Sequence, residues 1–196
     1  MQVLRFPIPK SEARKIVRSR RDETTSFDLK EKSKNILERL IQLDDFVYAK
    51  KIFAYISADE KDFHTKTLVD YSIGEGKSIY LPKHYGATKT LRRSPFLSYE
   101  ELILNESDGY WEPKVGIDED MSDIDLVFVP CIAVSMLGQR VGAGAGYYDK
   151  LLRNTYAPKY VLAFEYQLFN AIESQSHDIR VDVIITERRV LRTKSI

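Results

Sequence analysis

The chain has 196 residues and a nearly neutral composition, with 30 Lys and Arg residues, 29 Asp and Glu residues and a formal net charge of +1. This length fits one domain over residues 1–196, and the balanced charge gives no general attraction to nucleic acid or membranes. Cys131 is the only cysteine, and neither an apolar leader nor a run of about 18 apolar residues is present. We therefore expect a monomer in the reducing cytoplasm, without a membrane span.

Two helices are predicted at the start of the chain. Residues 9–23 indicate a helix with a strongly basic surface, which begins after the stiff segment around Pro7 and Pro9. In the second helix Thr25 and Asp28 form a capping pair. The residues that follow recur at helical spacing: Leu29, Ser33, Ile36, Leu37, Leu40 and Ile41. We expect both helices to pack on the rest of the domain.

The next segment has the pattern of a β-α-β unit. Residues 51–57 and 78–82 are short runs rich in β-branched and aromatic side chains. Between them, residues 65–75 predict a helix that ends near two glycines. A helix between two strands favours a parallel pair with a right-handed crossover.

The second half of the chain contains more strands of the same kind. Residues 125–130, 160–166 and 181–187 are nearly continuous apolar runs, which are typical of strands buried on both faces of a sheet. Residues 83–123 are predicted to be irregular, with one short helix near residues 99–104. The alternation of strands and helices predicts an α/β fold with a mostly parallel sheet that is covered on both faces.

A glycine-rich loop, RVGAGAGYYDKLL at residues 140–152, follows the strand predicted at 125–130. Gly142, Gly144 and Gly146 can take positive φ, which allows successive amide N–H groups to turn toward one anion. The spacing differs from the dinucleotide GxGxxG and from the P-loop, so neither of those sites is predicted. A phosphate-binding loop that leads into a helix and an ordinary strand-to-helix turn both remain open.

The segment DLVFVPCIAVSMLGQRVGAGAGYYDKLL resembles the signature of the 5-formyltetrahydrofolate cyclo-ligases, which are also called 5,10-methenyltetrahydrofolate synthetases. The resemblance extends over most of the chain, through an early Lys with Arg four residues later, KDFHT, YLPK, a turn with Trp, and RVDVIITE. It implies a three-layer α/β/α fold related to sugar-phosphate isomerase and CoA-transferase domains.

The resemblance also implies a reaction. The family cyclises 5-formyltetrahydrofolate to 5,10-methenyltetrahydrofolate with ATP and Mg²⁺. The formyl oxygen attacks the γ-phosphate to give an N5-iminium phosphate, N10 closes the ring, and ADP and phosphate are released. The expected partner is this small molecule, with or without a polyglutamate tail, and not a nucleic acid.

The family's nucleotide and metal residues map onto several positions. The residues implied to bind ATP are Lys10, Arg14, Arg140, Gly142, Ala143, Gly144, Ala145, Gly146, Tyr147 and Tyr148. Lys10 and Arg14 share one helix face, which without the resemblance would indicate a solvated surface. Asp149 and Asp178 correspond to the magnesium acids, with Asp182 as an alternative to Asp178. No side chain is assigned as a chemical catalyst; Arg140 and Lys10 are expected to position the phosphates.

The implied substrate residues are Asp62, Ser57, Trp111 and Tyr147. Asp62 stands where the family has Glu, and Asp59 and Glu60 keep that assignment open. For Trp111 and Tyr147, packing within the protein is the alternative to a contact with folate. His64, His84 and His177 have no metal-ligand spacing and are expected to be solvent-facing or hydrogen-bonded.

Some positions depart from the family pattern: Cys131 replaces Gly, Val134 replaces Phe, Ser135 replaces Asp, and Ala145 replaces Gly or Lys. Cys131 is expected to be a small buried thiol. Cys131, Ser135 and Asp62 support the alternative of a non-catalytic or differently specific relative that binds a folate or a nucleotide. Arg18, Arg20 and Arg21 are interpreted as surface charge.

Overall fold

The computed structural model describes residues 7–59, 61–85, 88, 90–106, 109–116, 121–144 and 146–193. Within these ranges the helices are α1 (Lys10–Asp22), α2 (Ser26–Leu40), α3 (Asp44–Tyr48), α4 (Thr65–Gly74) and α5 (Tyr147–Leu152). Short 3₁₀ turns lie at Tyr99–Glu101 and Glu165–Gln167. In the described part of the chain, every helix is too short or too polar to cross a lipid bilayer.

The strands are short and fall into three sheets. They are β1 (Lys51–Phe53), β2 (Ile56–Ser57), β3 (Ser78–Tyr85), β4 (Thr90–Pro95), β5 (Leu102–Asn105), β6 (Tyr110–Pro113), β7 (Leu126–Phe128), β8 (Ala133–Ser135), β9 (Arg140–Val141), β10 (Lys159–Leu162), β11 (Leu168–Phe169), β12 (Val183–Ile185) and β13 (Val190–Arg192). The large sheet has the order β13-β12-β10-β7-β1-β3-β4, and the two small sheets have the orders β11-β8-β9 and β2-β6-β5.

The large sheet is parallel in its interior and antiparallel at both edges. β12, β10, β7, β1 and β3 pair in parallel, while β13 and β4 run antiparallel to their neighbours. This confirms the predicted mostly parallel α/β fold. The central strands are nearly all apolar because neither of their faces meets water.

The two faces of the large sheet meet two separate apolar clusters. Successive residues of β1 show the alternation, since Ile52 packs in a cluster with residues of α2, α3 and α4, and Phe53 packs in a cluster with residues of α5. In β7, Phe128 lies in the same cluster as Ile52, and Val127 lies in the same cluster as Phe53. Helices therefore cover the sheet on both sides, as the three-layer prediction requires.

The N-terminal helices form where the sequence predicts them. Oγ1 of Thr25 accepts a hydrogen bond from the backbone N–H of Asp28 at 3.2 Å, which caps α2. Leu29, Ile36 and Leu40 of α2 are fully buried in the large cluster. Val17 of α1 packs in a smaller cluster with residues of β8 and β9. Both helices thus lie on the α/β core.

The prediction that residues 83–123 are irregular is wrong. β3 continues to Tyr85, and β4 follows as its antiparallel edge partner. The short helix expected near residues 99–104 is the 3₁₀ turn, and it is followed by the β5–β6 hairpin. Arg93 of β4 is charged, but its side chain is buried. Its Cζ lies 4.6 Å from the centroid of the Tyr80 ring, and its guanidinium is paired with Asp123.

Four predicted strands are shorter than their apolar patterns. The segment 51–57 divides into β1 and β2, which belong to different sheets, and the segments 125–130, 160–166 and 181–187 form strands of only three or four residues. The β8–β9 hairpin, which the sequence analysis did not predict, separates β7 from the glycine-rich loop. The loop therefore leaves the end of β9 and not the end of β7.

Candidate functional site

The glycines of the loop are required for two different physical reasons. Gly144 has φ +113° and Gly146 has φ +70°, so both take backbone conformations that L side chains rarely adopt. At Gly142 the reason is space, because a Cβ there would lie 2.9 Å from Nη1 of Arg140 and the end of that side chain would have to shift. Gly146 leads directly into α5, as predicted. Ala145 lies outside the described residues.

A cavity of about 270 Å³ opens beside this loop, and we call it the glycine-loop cavity. The structure brings together there almost all the predicted nucleotide and metal residues, from three separate parts of the chain: Lys10, Arg14, Arg140, Gly142, Ala143, Gly144, Gly146, Tyr147, Tyr148, Asp149 and Asp178. Lys10 and Arg14 thus face a cavity. Their spacing alone would indicate a solvated helix face, but in the structure this face borders the cavity.

Cations and carboxylates pair across the glycine-loop cavity. Nζ of Lys10 donates to Oδ2 of Asp178 at 2.5 Å, and Nη2 of Arg140 donates to Oδ1 of Asp149 at 3.1 Å. Burial raises the pKa of Asp178, but the backbone N–H of Gln175 and the Lys10 ammonium outweigh it, so that the pKa lies below its ordinary value. Each charge in these pairs has a counter-ion in the ligand-free protein.

Arg140 is the most enclosed of these cations, with a side chain that is 5% exposed. Its Nη1 donates to the carbonyl oxygen of Pro130 at 3.3 Å. Its Nε is buried and makes no hydrogen bond to the described residues. Because an unpaired buried donor costs about 1–3 kcal/mol, this arrangement favours an added acceptor near Arg140.

The carboxylates of the glycine-loop cavity suit a magnesium ion that arrives with phosphate. Asp149 and Asp178 line the same cavity, and the described residues contain no group of three or more His, Cys, Asp or Glu side chains that could hold a metal by itself. Mg²⁺ in proteins commonly takes one or two carboxylates and completes its shell with phosphate oxygens and waters. Asp182, the alternative acid, does not line this cavity and accepts from the backbone N–H of Lys159 at 2.8 Å.

A second cavity, of about 200 Å³, lies next to the first, and we call it the Asp62 cavity. Tyr110, Pro130, Gly142 and Ala143 line both cavities. The other side chains include aromatic rings and acids: Tyr55, Phe63, Asp59 and Asp62. The glycine-rich loop therefore borders both the glycine-loop cavity, where phosphate is expected, and a second space with flat apolar walls and a carboxylate.

Asp62 is held in place by neighbours on the same loop. Its Oδ2 accepts a hydrogen bond from Oγ of Ser57 at 2.8 Å. Ser57 does not line the Asp62 cavity, so its contact with this site goes through Asp62. Burial raises the pKa of Asp62, the Ser57 hydroxyl lowers it, and Asp59 raises it further. Glu60, an alternative to Asp62, lies outside the described residues.

Trp111 faces away from both cavities. Its side chain is 37% exposed, opposite Leu104 on β5, and it lines neither cavity. Its neighbour Tyr110 lines both, because consecutive residues of a strand point to opposite faces. Tyr110 was not among the residues predicted from the sequence, although its position next to the candidate aromatic residue Trp111 was a usable signal.

His84 is a second residue that the sequence analysis did not place in the site. It lines the glycine-loop cavity, and its ring meets that of Tyr147 edge-on with a centroid distance of 5.3 Å. Its Nδ1 is 2.8 Å from Oε2 of Glu112, and Nζ of Lys83 donates to Oε1 of Glu112 at 2.9 Å. Burial raises the pKa of Glu112, but the bonds from Lys83 and His84 outweigh it and lower the pKa overall.

Two of the four departures from the family pattern lie away from the cavities. Ser135 is fully buried and its Oγ accepts from the backbone N–H groups of Leu137 and Gln139, both at 3.2 Å, in the β8–β9 turn. Val134 is buried in the apolar cluster beside α5. Cys131 does line the Asp62 cavity, and burial raises the pKa of its thiol to about 12, which keeps it protonated.

The chain is similar to known proteins along most of its length. The family model described as "5-formyltetrahydrofolate cyclo-ligase family" matches residues 8–187. The chain is 28% identical to the 5-formyltetrahydrofolate cyclo-ligase of Escherichia coli K12 over 185 residues, which cover 89% of this chain and 98% of that protein. It is 25% identical to the Haemophilus influenzae protein of the same name over 177 residues, which cover 86% and 93%.

A solved structure extends the similarity to the fold. The NMR structure of 5,10-methenyltetrahydrofolate synthetase from Aquifex aeolicus superposes with a TM-score of 0.81 at 29% identity, covering 95% of this chain and 94% of that one. The synthetase from Mycoplasma pneumoniae, at 18% identity and a TM-score of 0.67, shares the fold. The chain therefore belongs to the 5-formyltetrahydrofolate cyclo-ligase family and is a ligase enzyme.

Proposed function

We propose that this enzyme uses ATP and Mg²⁺ to convert 5-formyltetrahydrofolate to 5,10-methenyltetrahydrofolate, with release of ADP and phosphate. The observation that supports this most directly is the meeting of two cavities at Gly142, Ala143, Pro130 and Tyr110. One cavity carries cations and acids that suit a metal-bound triphosphate, and the other carries a carboxylate and aromatic rings that suit a reduced pterin. A shared wall is what a transfer between the two ligands needs.

The chemistry explains why the reaction needs a phosphoryl donor. The formyl oxygen of an N-formyl group is a poor leaving group, so N10 cannot displace it directly. When that oxygen bonds to the γ-phosphorus, the bond from phosphorus to the β,γ-bridging oxygen breaks and ADP leaves. N10 then bonds to the formyl carbon and loses its proton, and the carbon–oxygen bond breaks to release phosphate.

The side chains of the glycine-loop cavity would position the triphosphate and neutralise its charge. Lys10 is paired with Asp178 and Arg140 with Asp149. We infer that phosphate oxygens take over the two cations, while Asp149 and Asp178 are available to hold Mg²⁺, which neutralises phosphate charge when bound. Because phosphoryl transfer depends mainly on alignment and charge neutralisation, this set of side chains is sufficient without a general base.

We assign the recognition of the pterin in the Asp62 cavity to the Asp62 carboxylate and to the aromatic rings of Tyr55 and Tyr110. Ionised Asp62 accepts hydrogen bonds from ring N–H groups, and Ser57 orients it through the bond at 2.8 Å. Tyr55 and Tyr110 supply flat surfaces, and their rings are 5.6 Å apart edge-on. Tyr147, which lies against His84 in the glycine-loop cavity, would meet the ligands from the loop side.

The test is direct. Purified protein mixed with 5-formyltetrahydrofolate, ATP and Mg²⁺ should form the methenyl product, followed by its absorbance, together with equal amounts of ADP and phosphate. Omission of ATP or Mg²⁺ should abolish the signal. A folded protein that forms no product beside an active family member would overturn the proposal.

A second candidate is a relative that binds a folate or a nucleotide with a different specificity. The observation in its favour is Cys131, a departure from the family pattern that lines the Asp62 cavity. Calorimetry would then detect binding of nucleotide or folate without turnover. The replacement of Cys131 by Gly, the usual family residue, would be expected to restore activity only under this second candidate.

A further inference from the structure

Arg21 is not the surface charge that the sequence analysis predicted. It lies at the last turn of α1, is 32% exposed and lines the Asp62 cavity. Its Nη2 contacts the carboxylate of Asp59, and its Nη1 lies 3.5 Å from Oδ1 of Asp62. One guanidinium therefore touches two acids at the wall of the cavity.

The position of Arg21 follows from the spacing of residues on α1. Lys10, Arg14, Val17 and Arg21 are separated by four, three and four residues, so they form one stripe along the helix. Lys10 and Arg14 line the glycine-loop cavity, whereas Val17 and Arg21 line the Asp62 cavity. A single helix face thus meets both ligand spaces.

Burial and charge raise the pKa of Asp62 overall, and the contact with Arg21 acts against that rise. Burial and the neighbouring Asp59 both raise the pKa of Asp62, while the Ser57 hydroxyl and Arg21 lower it. Tyr55, Cys131 and Tyr166 also interact with Asp62, and burial raises the pKa of each, so all three are neutral. Among these neighbours the positive charge comes from Arg21.

We propose that Arg21 is a positioning residue that keeps Asp62 ionised and oriented in the Asp62 cavity, where the carboxylate accepts hydrogen bonds from a flat heterocycle. The nature of that heterocycle, a reduced pterin, rests on the proposed function. The planar guanidinium can contact Asp59 and Asp62 at the same time, which offsets the repulsion between their two negative charges. Arg21 acts on the substrate through Asp62.

The first experiment measures Asp62 in the ligand-free protein by NMR titration of its side-chain carboxyl carbon. Replacement of Arg21 by Gln should raise the pKa of Asp62 by about one unit or more, the usual effect of losing a cation at this range. Arg18→Gln is the matched control, because it removes the same charge from an exposed position on the same helix. An unchanged Asp62 titration in Arg21→Gln would overturn the proposal, and this result does not depend on turnover.

The second experiment measures KM for 5-formyltetrahydrofolate between about pH 6 and about pH 9. Arg21→Gln should raise this KM, and the rise should be larger at the acid end than at the alkaline end, because Asp62 is more fully ionised as the pH increases. KM for ATP should stay within about twofold of wild type. Arg21→Lys keeps the positive charge but loses the planar guanidinium that can contact two acids. Its KM for 5-formyltetrahydrofolate should lie between those of wild type and Arg21→Gln.

A double-variant cycle separates this role from direct binding of the substrate by Arg21. In an Asp62→Asn background, the change Arg21→Gln should have little further effect on KM, because the group it acts through is gone. An equal rise in KM at every pH, or an undiminished effect in the Asp62→Asn background, would overturn the proposal and assign Arg21 to a substrate carboxylate. If wild-type protein shows no turnover, the proposed function fails, while the NMR titration still decides the role of Arg21.

Discussion

The guanidinium of Arg14 holds the main chain of the glycine-rich loop at Gly142. Nε and Nη2 both donate to the carbonyl oxygen of Gly142, at 3.1 Å and 3.0 Å. A side chain from the first helix thus fixes a loop that lies 128 residues later in the chain. The resemblance to the family implies a phosphate contact for Arg14, and the structure shows that it also sets the shape of the loop that would receive the phosphates.

Arg14→Ala should therefore weaken ATP binding more than folate binding. Two hydrogen bonds from a charged donor are lost and the loop is released, so we expect KM for ATP to rise at least about tenfold. Amide hydrogen exchange over residues 142–146 should become faster, whereas exchange in β7 should not change. Arg18→Ala is the control, and equal exchange rates in Arg14→Ala and wild type would contradict a structural hold on the loop.

The two candidate magnesium acids should behave differently from Asp182. Asp149→Asn and Asp178→Asn remove charge inside the glycine-loop cavity, so we expect turnover to fall by about a hundredfold and the half-saturating Mg²⁺ concentration to rise. Asp182→Asn is the matched control, because this side chain lies outside the cavity and its amide oxygen can still accept from Lys159. Steady-state rates measured against Mg²⁺ concentration distinguish the variants. A loss of turnover in Asp182→Asn alone would mean that Asp182, and not Asp149 or Asp178, holds the metal.

The Lys10–Asp178 pair predicts a pH dependence of stability. Asp178 has a folded-state pKa below its unfolded value of about 3.9, so its contribution is complete above that value and is lost as the pH falls through the folded-state pKa. We expect Asp178→Asn to lower the free energy of unfolding by about 1.5–3 kcal/mol at pH 7 and to differ less from wild type in strong acid. Urea titrations at several pH values measure this; a difference that stays constant into strong acid would be inconsistent with an ionised pair.

Tyr110 and Trp111 give a paired test of which aromatic residue meets the folate. Tyr110 lines both cavities, whereas Trp111 faces away on the other side of β6. Tyr110→Ala should raise KM for 5-formyltetrahydrofolate about tenfold through the loss of ring contact, and Trp111→Ala should change it by less than about twofold. Initial-rate measurements on both variants suffice. The reverse order would mean that the β5–β6 hairpin rearranges when folate binds.

The sequence by itself determined the features that depend on local spacing. The apolar runs predicted the parallel interior strands, since only side chains buried on both faces are apolar without alternation. The spacing of Lys10 and Arg14 placed both on one helix face, and the pattern of the glycine-rich loop allowed the positive φ values that Gly144 and Gly146 take. These inferences needed no knowledge of distant contacts.

Tertiary structure alone decided the features that depend on partners far along the chain. Arg93 is buried in β4 because Asp123 neutralises it, and Arg21 leaves the surface because Asp59 and Asp62 lie beside it. The direction of β6, which sends Tyr110 inward and Trp111 outward, depends on its register with β5 and β2. A charge or an aromatic ring carries no local signal of whether folding will bring it a counter-ion or a cavity, because the free energy of its burial depends on those long-range contacts.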